Sequence, residues 1–438
     1  MSASEEARAE AGVAAASADG RAAGASVLSV GLLGHGTVGS AFAQLLAERA
    51  HAVQRITGRR PALSGTLTTS EGDFEQILAS SEAIVELIGG LEPAREYLLA
   101  ALRAGRHVVT ANKQLLSHHG EELFEAAREG GAQLRFEAAV AGVVPVVRVL
   151  SESLAGAHIE RVHGIVNGTT NFILTEMAGG SSYEQALAEA QRQGYAEADP
   201  SEDVSGKDAA AKMAILARLA FGTPVHIDQV PYEGIEQLQT DDLQYARELG
   251  LGLKLIGTAE RRDGGLSVRV HPAFLYGGHP LASVSGPYNA VTVESEAITE
   301  ITMSGPGAGG RQTASAVLGD LISTMLTDSV PPTPAGLEGW AGPNPPLPLV
   351  SDVQSAFYIH IELADRPGAL AAVAQALGDQ GASIKSVVQR GLGESARLTM
   401  VIHPLAQSSV HEALERIGRF DFVRSTPRAI RVIEEEFM

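Results

Sequence analysis

The chain has 438 residues, and its 33 Lys+Arg against 52 Asp+Glu give a formal net charge of −19. Its 45% apolar and 19% charged residues are typical of a folded globular protein, and the length suits about three domains. The negative charge disfavours nucleic acid and anionic membranes as partners. The absence of cysteine excludes disulfides, thiolate metal sites and a cysteine nucleophile. We therefore expect small molecules as partners.

The N-terminal segment 1–26 is predicted to be a disordered tail. It contains eleven Ala with acidic residues scattered among them, unlike a signal or transit peptide. The longest apolar stretch, 138–147, is much shorter than the roughly 20 residues that span a bilayer. We expect a cytoplasmic protein without a transmembrane helix.

Buried strands alternate with helical stretches over residues 27–150, the predicted first domain. This alternation predicts a doubly wound parallel sheet of the α/β class. The predicted strands are 27–33, 52–57, 83–88, 107–110 and 133–140, and the clearest helices are 38–49 and 93–104.

A glycine-rich turn, G-H-G-T-V-G at residues 34–39, follows the first strand and opens the first helix. Gly34 permits the tight turn, Gly36 lets the backbone approach a pyrophosphate, and Gly39 lets the helix pack close to the sheet. The helix N-terminus favours the phosphate charge. The pattern therefore predicts a dinucleotide site, with a ligand-free glycine turn as the alternative.

Two arginines, Arg59 and Arg60, follow the predicted second strand. An NAD-preferring site places Asp or Glu there to bind the ribose 2′-hydroxyl, whereas guanidiniums suit a 2′-phosphate. NADP is therefore favoured over NAD, and Arg59 is a candidate cofactor contact. Solvated loop charges are the alternative.

The rest of the chain predicts two further domains. Residues 151–303 mix helices and strands in an α+β domain, and 304–329 contain a helix that returns to the first domain. The stretch 330–352 is crowded with Pro and Gly and is a predicted linker. Residues 353–438 follow the order βαββαβ, which is a ferredoxin-like fold.

An acidic segment, 194–212, leads into a predicted helix. Asp208 and Lys212 are four residues apart on that helix, so they share one face and can both point into a cleft. On spacing alone, a surface ion pair is the alternative. The sequence shows no serine nucleophile elbow and no spaced set of transition-metal ligands, so it does not support a hydrolase or a transition-metal enzyme.

Five segments together resemble homoserine dehydrogenase with a C-terminal ACT domain, and the resemblance runs from residue 27 to the end. They are VGLLGHGTVG at 30–39, IVELIGG at 84–90, VTANK at 109–113, NGTTNF at 167–172, and the acidic segment from Asp199 through Asp208 to Lys212. Each segment is modest evidence alone, but five in this order are specific.

The resemblance implies reversible NAD(P)-dependent hydride transfer between L-homoserine and L-aspartate 4-semialdehyde, in threonine, methionine and isoleucine biosynthesis. Lys212 would be the catalytic general acid or base, beside Asp208. Glu197, Asp203 and Asp208 would form the substrate site, since a substrate with an α-ammonium needs carboxylate partners.

The resemblance also implies cofactor contacts and a bound monovalent cation, typically sodium. Besides the turn glycines, the implied cofactor contacts are Thr37, Val38, Lys113, Gly194 and Gly309. The cation would be held, largely through main-chain carbonyls, at Glu137, Val140, Gly142 and Val144. Two positions depart from the family pattern at the cofactor edge: His35 replaces an apolar residue, and Gln312 replaces a Pro.

The last domain resembles ACT modules at residues 363–370, where such domains bind an amino acid between paired copies. Gly368 would let main-chain N–H groups face a carboxylate there. The expected effector is threonine, and a purely structural appendage is the alternative. We expect a monofunctional homodimer or homotetramer, since the residues before 27 are too few for a fused kinase-like domain.

Two other interpretations stay open. One is a non-catalytic binding protein with Rossmann and ACT modules, against which the intact set of Lys212 and acidic residues argues. The other is a dehydrogenase of a different semialdehyde or hydroxy acid. The lack of cysteine argues against the phosphorylating semialdehyde dehydrogenases, which need a thiolate nucleophile.

Overall fold

The computed structural model of the chain describes residues 26–248, 250–262, 264–326, 346–391 and 396–433. Residues 1–25 of the predicted tail and 330–345 of the predicted linker lie outside the described residues. None of the described helices is long and apolar enough to cross a membrane.

The first sheet has five parallel strands in the order β2-β1-β3-β4-β5. Its strands are β1 (Val27–Leu33), β2 (Arg60–Leu67), β3 (Ala83–Glu86), β4 (His107–Thr110) and β5 (Leu134–Arg135). The helices between them are α1 (Thr37–Thr57), α2 (Phe74–Ser80), α3 (Ala94–Arg103) and α4 (Lys113–Gly130). The predicted doubly wound α/β sheet is confirmed. Because the strand order reverses at β1, the carboxyl ends of β1 and β3 flank a ligand-binding crevice.

The predicted strand at 52–57 is wrong, because these residues are the last turns of α1. Val53 is buried three residues after the buried Ala50, which is helical spacing, while Ile56 is 61% exposed. The helix stops only at Gly58, which adopts the left-handed conformation with φ = 75°. The second strand is therefore β2, which begins at Arg60 and directly follows Arg59, whereas both arginines were predicted to follow the strand.

The predicted strand at 133–140 is also wrong beyond its first residues. After the two residues of β5 the chain turns helical at Glu137–Ala139, Val146–Arg148 and Val149–Ser153. The Glu137 N–H donates to the Asp320 carboxylate at 2.7 Å instead of to a neighbouring strand, and strand pairing ends there.

A second sheet has nine strands in the order β10-β9-β6-β7-β8-β14-β11-β13-β12. Its first part comprises β6 (Ile159–Ile165), β7 (Leu251–Arg262), β8 (Gly265–Tyr276), β9 (Tyr288–Ser295) and β10 (Thr299–Pro306). The accompanying helices are α5 (Gly168–Ala178), α6 (Tyr183–Arg192), α7 (Ser201–Val204), α8 (Lys207–Phe221) and α9 (Thr240–Glu248). Helix α8 packs closely on β7, since a Cβ at Gly257 would lie 2.4 Å from the Met213 side chain. Most of α8 is buried, so its charged residues need partners inside the protein.

Helix α10 (Gly310–Leu326) returns to the first sheet and packs against α1. Its Ala314, Val317 and Leu321 share a core with Phe42 and Leu46 of α1. The end of the second domain therefore lies beside the glycine-rich turn.

The C-terminal part of the nine-stranded sheet is ferredoxin-like, as predicted. Its elements are β11 (Gln354–Leu363), α11 (Ala369–Gly378), β12 (Ile384–Arg390), β13 (Ala396–Ala406), α12 (Gln407–Gly418) and β14 (Arg428–Ile433). Strand β14 pairs in parallel with β8, residues 431–433 lying against 273–275. The two domains thus share one sheet, and β12 forms its end.

Candidate active site

The turn between β1 and α1 has the geometry that a pyrophosphate requires. Gly34 has φ = 95°, and a Cβ there would lie 2.6 Å from the backbone of Leu87. A Cβ at Gly39 would lie 2.1 Å from the Gly34 carbonyl oxygen, whereas one at Gly36 would meet nothing within 4 Å. Among the described residues, no side chain caps the first turn of α1. Open space beside uncapped N–H groups fits a phosphate.

Arg59 lies at the wrong edge of the sheet for a cofactor contact. It precedes β2, whose first residue Arg60 pairs with Val27 at the start of β1. The glycine-rich turn follows the other end of β1, about 20 Å away. The Arg59 guanidinium donates to the main-chain oxygen of Val27 and pairs with Glu82 at 2.7 Å. The structure therefore corrects the prediction of Arg59 as a cofactor contact, and the NADP preference stays a prediction that Arg59 does not support.

Hydroxyl-bearing residues follow the carboxyl end of β2. Its last residue, Leu67, accepts a hydrogen bond from the Gly34 N–H at 2.9 Å, and the sequence continues as Thr-Thr-Ser at 68–70. The Thr68 hydroxyl accepts from the Glu71 N–H at 2.9 Å and closes a tight turn. Hydroxyls, and not a carboxylate, thus follow directly on the strand whose end faces the ribose in this fold.

A buried carboxylate shapes the crevice beside this turn. Glu86, at the end of β3, accepts from the N–H groups of Ile88 (2.8 Å) and Gly89 (3.0 Å) and from the Thr110 hydroxyl (2.5 Å). That hydroxyl accepts in turn from the Asn112 N–H at 3.0 Å. Glu86 therefore ties the loop after β3 to the turn before α4. No role was predicted for Glu86 from the sequence, although a Glu at the end of an apolar strand was the available signal.

Asp208 is the centre of a charged cluster between the two sheets. It is 2% exposed, and its oxygens contact Lys113 Nζ and Lys212 Nζ, each at 2.6 Å. Lys212 also donates to the main-chain oxygen of Val166 at 2.8 Å. Burial raises the pKa of Asp208, but the two ammonium groups outweigh it and hold that pKa well below its usual range. The Asp208–Lys212 pair is thus a buried cluster and not a surface ion pair.

The helix explains this arrangement. Gly206, with φ = 87°, leads into α8 and puts Asp208 in its first turn, where the helix dipole stabilises a carboxylate. Lys212 follows one turn later on the same face. The Lys212 side chain is 13% exposed and that of Lys113 is 34% exposed, so neither side chain is fully buried.

Asn167 is a site residue that sequence analysis missed. Its side-chain oxygen caps α5 by accepting from the Thr170 N–H at 2.8 Å, and its Nδ2 donates to Asp203 (2.7 Å) and Asp208 (2.8 Å). Burial and the charge of Asp208 raise the pKa of Asp203. The amide therefore bridges two carboxylates. An Asn directly before a helix is a capping signal that could have identified it.

Lys113, predicted as a cofactor contact, opens α4 and reaches the Asp208 cluster from the nucleotide-binding side. Burial lowers the pKa of Lys113, but the charge and hydrogen bond of Asp208 together with the charges of Asp203 and Glu202 outweigh it, so the pKa lies above its ordinary value. The adjacent Gln114 donates to Glu202 of α7 at 3.1 Å. The start of α4 and the acidic segment therefore meet across the cleft.

Glu197 and Gly194 lie in the exposed stretch between α6 and α7. The main-chain oxygen of Glu197 accepts from the Gln191 side chain at 3.1 Å. Gly194 has φ = 77°, and a Cβ there would meet nothing within 4 Å. The described hydrogen bonds and ion pairs of Asp208 involve neither residue, so their assigned roles stay predictions.

The start of α10 lies against the start of α1. A Cβ at Gly310 would lie 3.1 Å from the Thr37 side chain, and Thr37 and Val38 are the first residues of α1. Gly309 has φ = 145°, and a Cβ there would clash with the Gln312 side chain. The structure thus brings together three of the predicted cofactor contacts: Thr37, Val38 and Gly309.

The predicted cation ligands lie in one turn of the chain, at 137–144. Val140 and Val144 are buried and have apolar side chains, so only their main-chain oxygens could be ligands of a cation. Between them, Ala141 (φ = 57°) and Gly142 (φ = 67°) are both left-handed. Oxygen donors suit a hard cation. The described part of the chain contains no cluster of three His, Asp or Glu side chains for another metal.

Two carboxylates are buried beside that turn. Glu137 accepts from the N–H groups of Val147 and Arg148, both at 2.9 Å, and its own N–H donates to Asp320. Burial and the charge of Asp320 raise the pKa of Glu137 to about 7, and burial raises that of Asp320 to about 6. Such crowding of negative charge favours a nearby cation, so these residues fit one.

Another buried aspartate joins the two parts of the nine-stranded sheet. Asp242 of α9 contacts His360 Nδ1 of β11 at 2.7 Å and Arg428 Nη1 of β14 at 2.9 Å. Its neighbour Asp241 pairs with Arg397 of β13 at 2.9 Å. These contacts attach α9 to the C-terminal domain, and sequence analysis did not predict them.

The turn before α11 is the segment in which the effector site was predicted. Gly368 has φ = 90°, and a Cβ there would meet nothing within 4 Å. Within the described structure no side chain caps the first turn of α11. The N–H groups of that turn therefore have room for a carboxylate.

Comparison with known families agrees with this architecture. The model of the homoserine dehydrogenase NAD-binding domain matches residues 34–137, the homoserine dehydrogenase model matches 145–322, and the ACT model matches 357–421. A homoserine dehydrogenase of Corynebacterium glutamicum is 40% identical over 428 residues, covering 93% of this chain and 96% of that protein.

Solved structures are similar as well. The homoserine dehydrogenase of Thiobacillus denitrificans gives a TM-score of 0.87 at 36% identity, covering 93% of this chain and 98% of that one. A hyperthermophilic archaeal homoserine dehydrogenase mutant in complex with NADPH gives 0.58 at 29% identity, covering 68% and 98% of the two chains. With the dinucleotide turn, the Asp208 cluster and the ferredoxin-like module described above, these matches show that the chain belongs to the homoserine dehydrogenase family of NAD(P)-dependent oxidoreductases and carries a C-terminal ACT domain.

Proposed function

We propose that the protein interconverts L-homoserine and L-aspartate 4-semialdehyde with NADP(H), using Lys212 as the general acid or base. The observation that carries this proposal is the buried Asp208 with Lys113 and Lys212 on its two oxygens. The cluster lies between the nucleotide-binding sheet and the second domain, where a small alcohol and a dinucleotide would meet. This placement disfavours a non-catalytic binding protein.

Lys212 has the contacts of a positioned proton donor. Asp208 and the Val166 carbonyl hold its amine at 2.6 and 2.8 Å. In the reducing direction this amine protonates the developing alkoxide, and in the oxidising direction it accepts the hydroxyl proton. The bound cofactor supplies or takes up the hydride. Positioned proton transfer of this kind contributes about 10²- to 10⁴-fold to a rate.

The acidic segment is proposed to bind the substrate's α-ammonium group. Asp203 lies beside Asp208 through the shared amide of Asn167, and Glu197 lies on the neighbouring exposed loop. Lys113 is the more exposed amine of the cluster and is proposed to contact both substrate and cofactor. Opposite charges at this spacing orient a small zwitterion.

The preference for NADP is proposed on a new basis, the hydroxyl-rich end of β2. Thr68, Thr69 and Ser70 stand where an NAD-preferring enzyme places a carboxylate, and one similar structure is a complex with NADPH. Hydroxyls tolerate a 2′-phosphate that a carboxylate would repel. A monovalent cation, proposed to be sodium, would be held by the turn that contains Glu137, Val140, Gly142 and Val144.

We propose further that threonine inhibits the enzyme through the ACT domain, in the cytoplasmic synthesis of threonine, methionine and isoleucine. Helix α9, attached to the ACT domain by Asp242, also bonds to the end of α5, since Arg247 donates to the Ala178 main-chain oxygen at 3.3 Å. Asn167 caps the other end of α5 and holds Asp208. These contacts link the ACT domain through α9 and α5 to Asp208, and they support the proposal that effector binding changes the active site.

The proposed assembly is a homodimer or homotetramer. Strand β12 ends the sheet, and Val387 and Val388 on it are 45% and 36% exposed. An exposed edge strand is a template for pairing with another strand. The other side of the ACT sheet already pairs with β8, so pairing of two ACT domains through β12 is what this arrangement supports.

One assay tests these proposals together. Initial rates of homoserine oxidation are measured with NADP and with NAD, with and without threonine, in sodium and in a bulky organic cation. We expect turnover, a higher kcat/KM with NADP, inhibition by threonine and stimulation by sodium. Folded protein that binds NADP but does not oxidise homoserine would contradict the proposed substrate.

A further inference from the structure

A buried lysine of β7 belongs neither to the Asp208 cluster nor to the cation turn. Lys254 is 6% exposed, and its Nζ donates to Asn171 Oδ1 (3.1 Å) and to the main-chain oxygen of Val284. Both of these partners are neutral. Burial lowers the pKa of Lys254 to about 8. Burying an ammonium without a carboxylate is costly, so this residue requires a specific explanation.

Lys254 and Asn171 together fix the segment 284–288. Asn171 Nδ2 donates to the main-chain oxygens of Val284 (3.3 Å), Gly286 (2.9 Å) and Tyr288 (3.1 Å). The segment runs from the end of a short 3-10 turn to the first residue of β9, so regular secondary structure does not determine the path of residues 284–287. The ammonium and the amide supply the bonds that do.

The fixed segment touches both walls of the active site. The Pro287 carbonyl oxygen accepts from the Gly307 N–H at 3.1 Å. A Cβ at Gly168 would lie 2.8 Å from the same oxygen, so the backbone at Gly168 packs directly against it. Gly168 follows Asn167, which holds Asp208, and Gly307 begins the loop that leads to α10 and the start of α1. One carbonyl therefore contacts the backbone on the substrate side, at Gly168, and on the cofactor side, at Gly307.

We propose that Lys254 is a positioning residue for hydride transfer, which fixes segment 284–288 and thereby the separation of substrate and nicotinamide. Lys254 does not touch the reacting atoms and acts through the Pro287 carbonyl. Reaction rates depend steeply on this separation, since a displacement of about 1 Å can cost about 10²-fold. The inference rests on the proposed position of the cofactor beside Thr37 and Gly309.

The test compares Lys254→Met with the wild-type enzyme in the oxidation of homoserine that carries deuterium at its reacting carbon. Methionine retains an unbranched apolar chain but removes the donors. We expect kcat to fall by about 10- to 100-fold, with the KM for homoserine and the Kd for NADPH little changed. The primary isotope effect on kcat should rise, because misplaced reactants make hydride transfer the slowest step. Lys254→Arg keeps the charge and donors and should recover part of kcat.

Two further variants separate positioning from loss of stability. Arg431→Met removes a partly buried cation from β14 of the same sheet, one whose pKa burial lowers to about 10, and should lower the melting temperature while leaving the isotope effect at the wild-type value. Thr175→Val removes the acceptor of the Gly286 N–H (3.0 Å) and should raise the isotope effect slightly. If Lys254→Met does not fold, the isotope effect of Thr175→Val tests the positioning role instead.

An unchanged isotope effect in active Lys254→Met, whatever its melting temperature, would overturn the positioning role. An unchanged isotope effect in Thr175→Val, if that variant has to serve alone, would do the same. Oxidation of homoserine by the wild-type enzyme is measured first in the same assay. If the wild type does not oxidise homoserine, the proposed function is wrong. If it does and the isotope effect of the variant is unchanged, only the positioning role is wrong.

Discussion

Two buried aspartates, Asp208 and Asp242, each contact two side chains that can carry a positive charge, but their surroundings differ. Lys113 and Lys212 beside Asp208 keep 34% and 13% of their side chains exposed. His360 beside Asp242 is 2% exposed, but Arg428 beside it keeps 26% of its side chain exposed, so exposure alone does not separate the two clusters. A lysine amine can exchange a proton, whereas a guanidinium stays protonated. Asp208 also contacts Lys113 at the start of α4 in the nucleotide-binding domain, while Asp242 joins α9 to the ACT sheet. The chemistry of the partners and their place in the fold, and not burial of the carboxylate, distinguish chemistry from attachment here.

The two clusters also assemble differently along the chain. Lys212 lies one helical turn from Asp208, while His360 lies 118 residues from Asp242. The first pair follows from the geometry of one helix. The second exists only because α9 packs against the ACT sheet. Breaking each cluster should therefore have different consequences.

The largest effect is expected from Lys212→Ala, which removes the proposed proton donor. We expect kcat to fall by about 10²- to 10⁴-fold, while NADPH binding, measured by fluorescence titration, stays close to that of the wild type. Lys207→Ala is the matched control on the same helix, because Lys207 forms an exposed pair with Glu202 at 3.3 Å. Normal turnover in Lys212→Ala would show that another group moves the proton.

Asp242→Asn should reverse this pattern, with a large loss of stability and a small loss of activity. Removing the charge leaves Arg428 without its partner, at a cost of about 3 kcal/mol in the free energy of unfolding, measured by denaturant titration. Threonine inhibition should weaken, because α9 loosens from the ACT domain. Asp208→Asn is the comparison and should lower kcat far more. Equal effects of the two changes on kcat would contradict the distinction.

Among the described residues, Lys254 is a buried charge without a charged partner, unlike Asp208 and Asp242. We expect this difference to show in how the stability of the protein depends on pH. The pKa of Lys254 is about 8 in the folded protein against an ordinary 10.5, so between these values the unfolded chain binds more protons. Stability therefore rises with pH in that window. From pH 8 to 10 the wild type should gain about 2 kcal/mol relative to Lys254→Met, measured by urea unfolding. Parallel stability curves for the two proteins would contradict the lowered pKa.

The smallest effect is expected at Arg59, a half-buried cation outside both clusters. Arg59→Ala should leave the ratio of kcat/KM for NADP and NAD unchanged, because Arg59 lies at the opposite edge of the sheet from the glycine-rich turn. The lost pair with Glu82 should cost no more than about 1 kcal/mol. A change of tenfold or more in the cofactor ratio would restore Arg59 as a cofactor contact.

Local sequence patterns predicted much of the site. The function of the turn at residues 34–39 depends on glycines: a Cβ would clash at two of them, and the third leaves open space. Glycines can be read directly from the sequence. The pair of Asp208 and Lys212 follows from helical spacing. Asn167 was also within reach, since an Asn before a helix is a capping signal, but its bonds to two carboxylates depend on where α7 and α8 lie.

Other features could not be predicted because they depend on register and packing. The segment 52–57 fits a short strand by composition, and only the continued helical burial of Val53 makes it part of α1. That boundary moved β2 by several residues and placed Arg59 at its start. The later start of β2 therefore places Arg59 at the amino end of the sheet strands and not at the carboxyl end, where the glycine-rich turn lies.

The sequence by itself determined the classes of the domains, the dinucleotide turn and the pair of Asp208 and Lys212, because these depend on residues that are near each other in the chain. Only the tertiary structure decided that Lys113 joins Asp208, that β14 and β8 connect the two domains in one sheet, and that Asp242 is buried between them. These contacts join residues far apart in sequence, and their distances are set by how whole helices and strands pack and not by any local pattern.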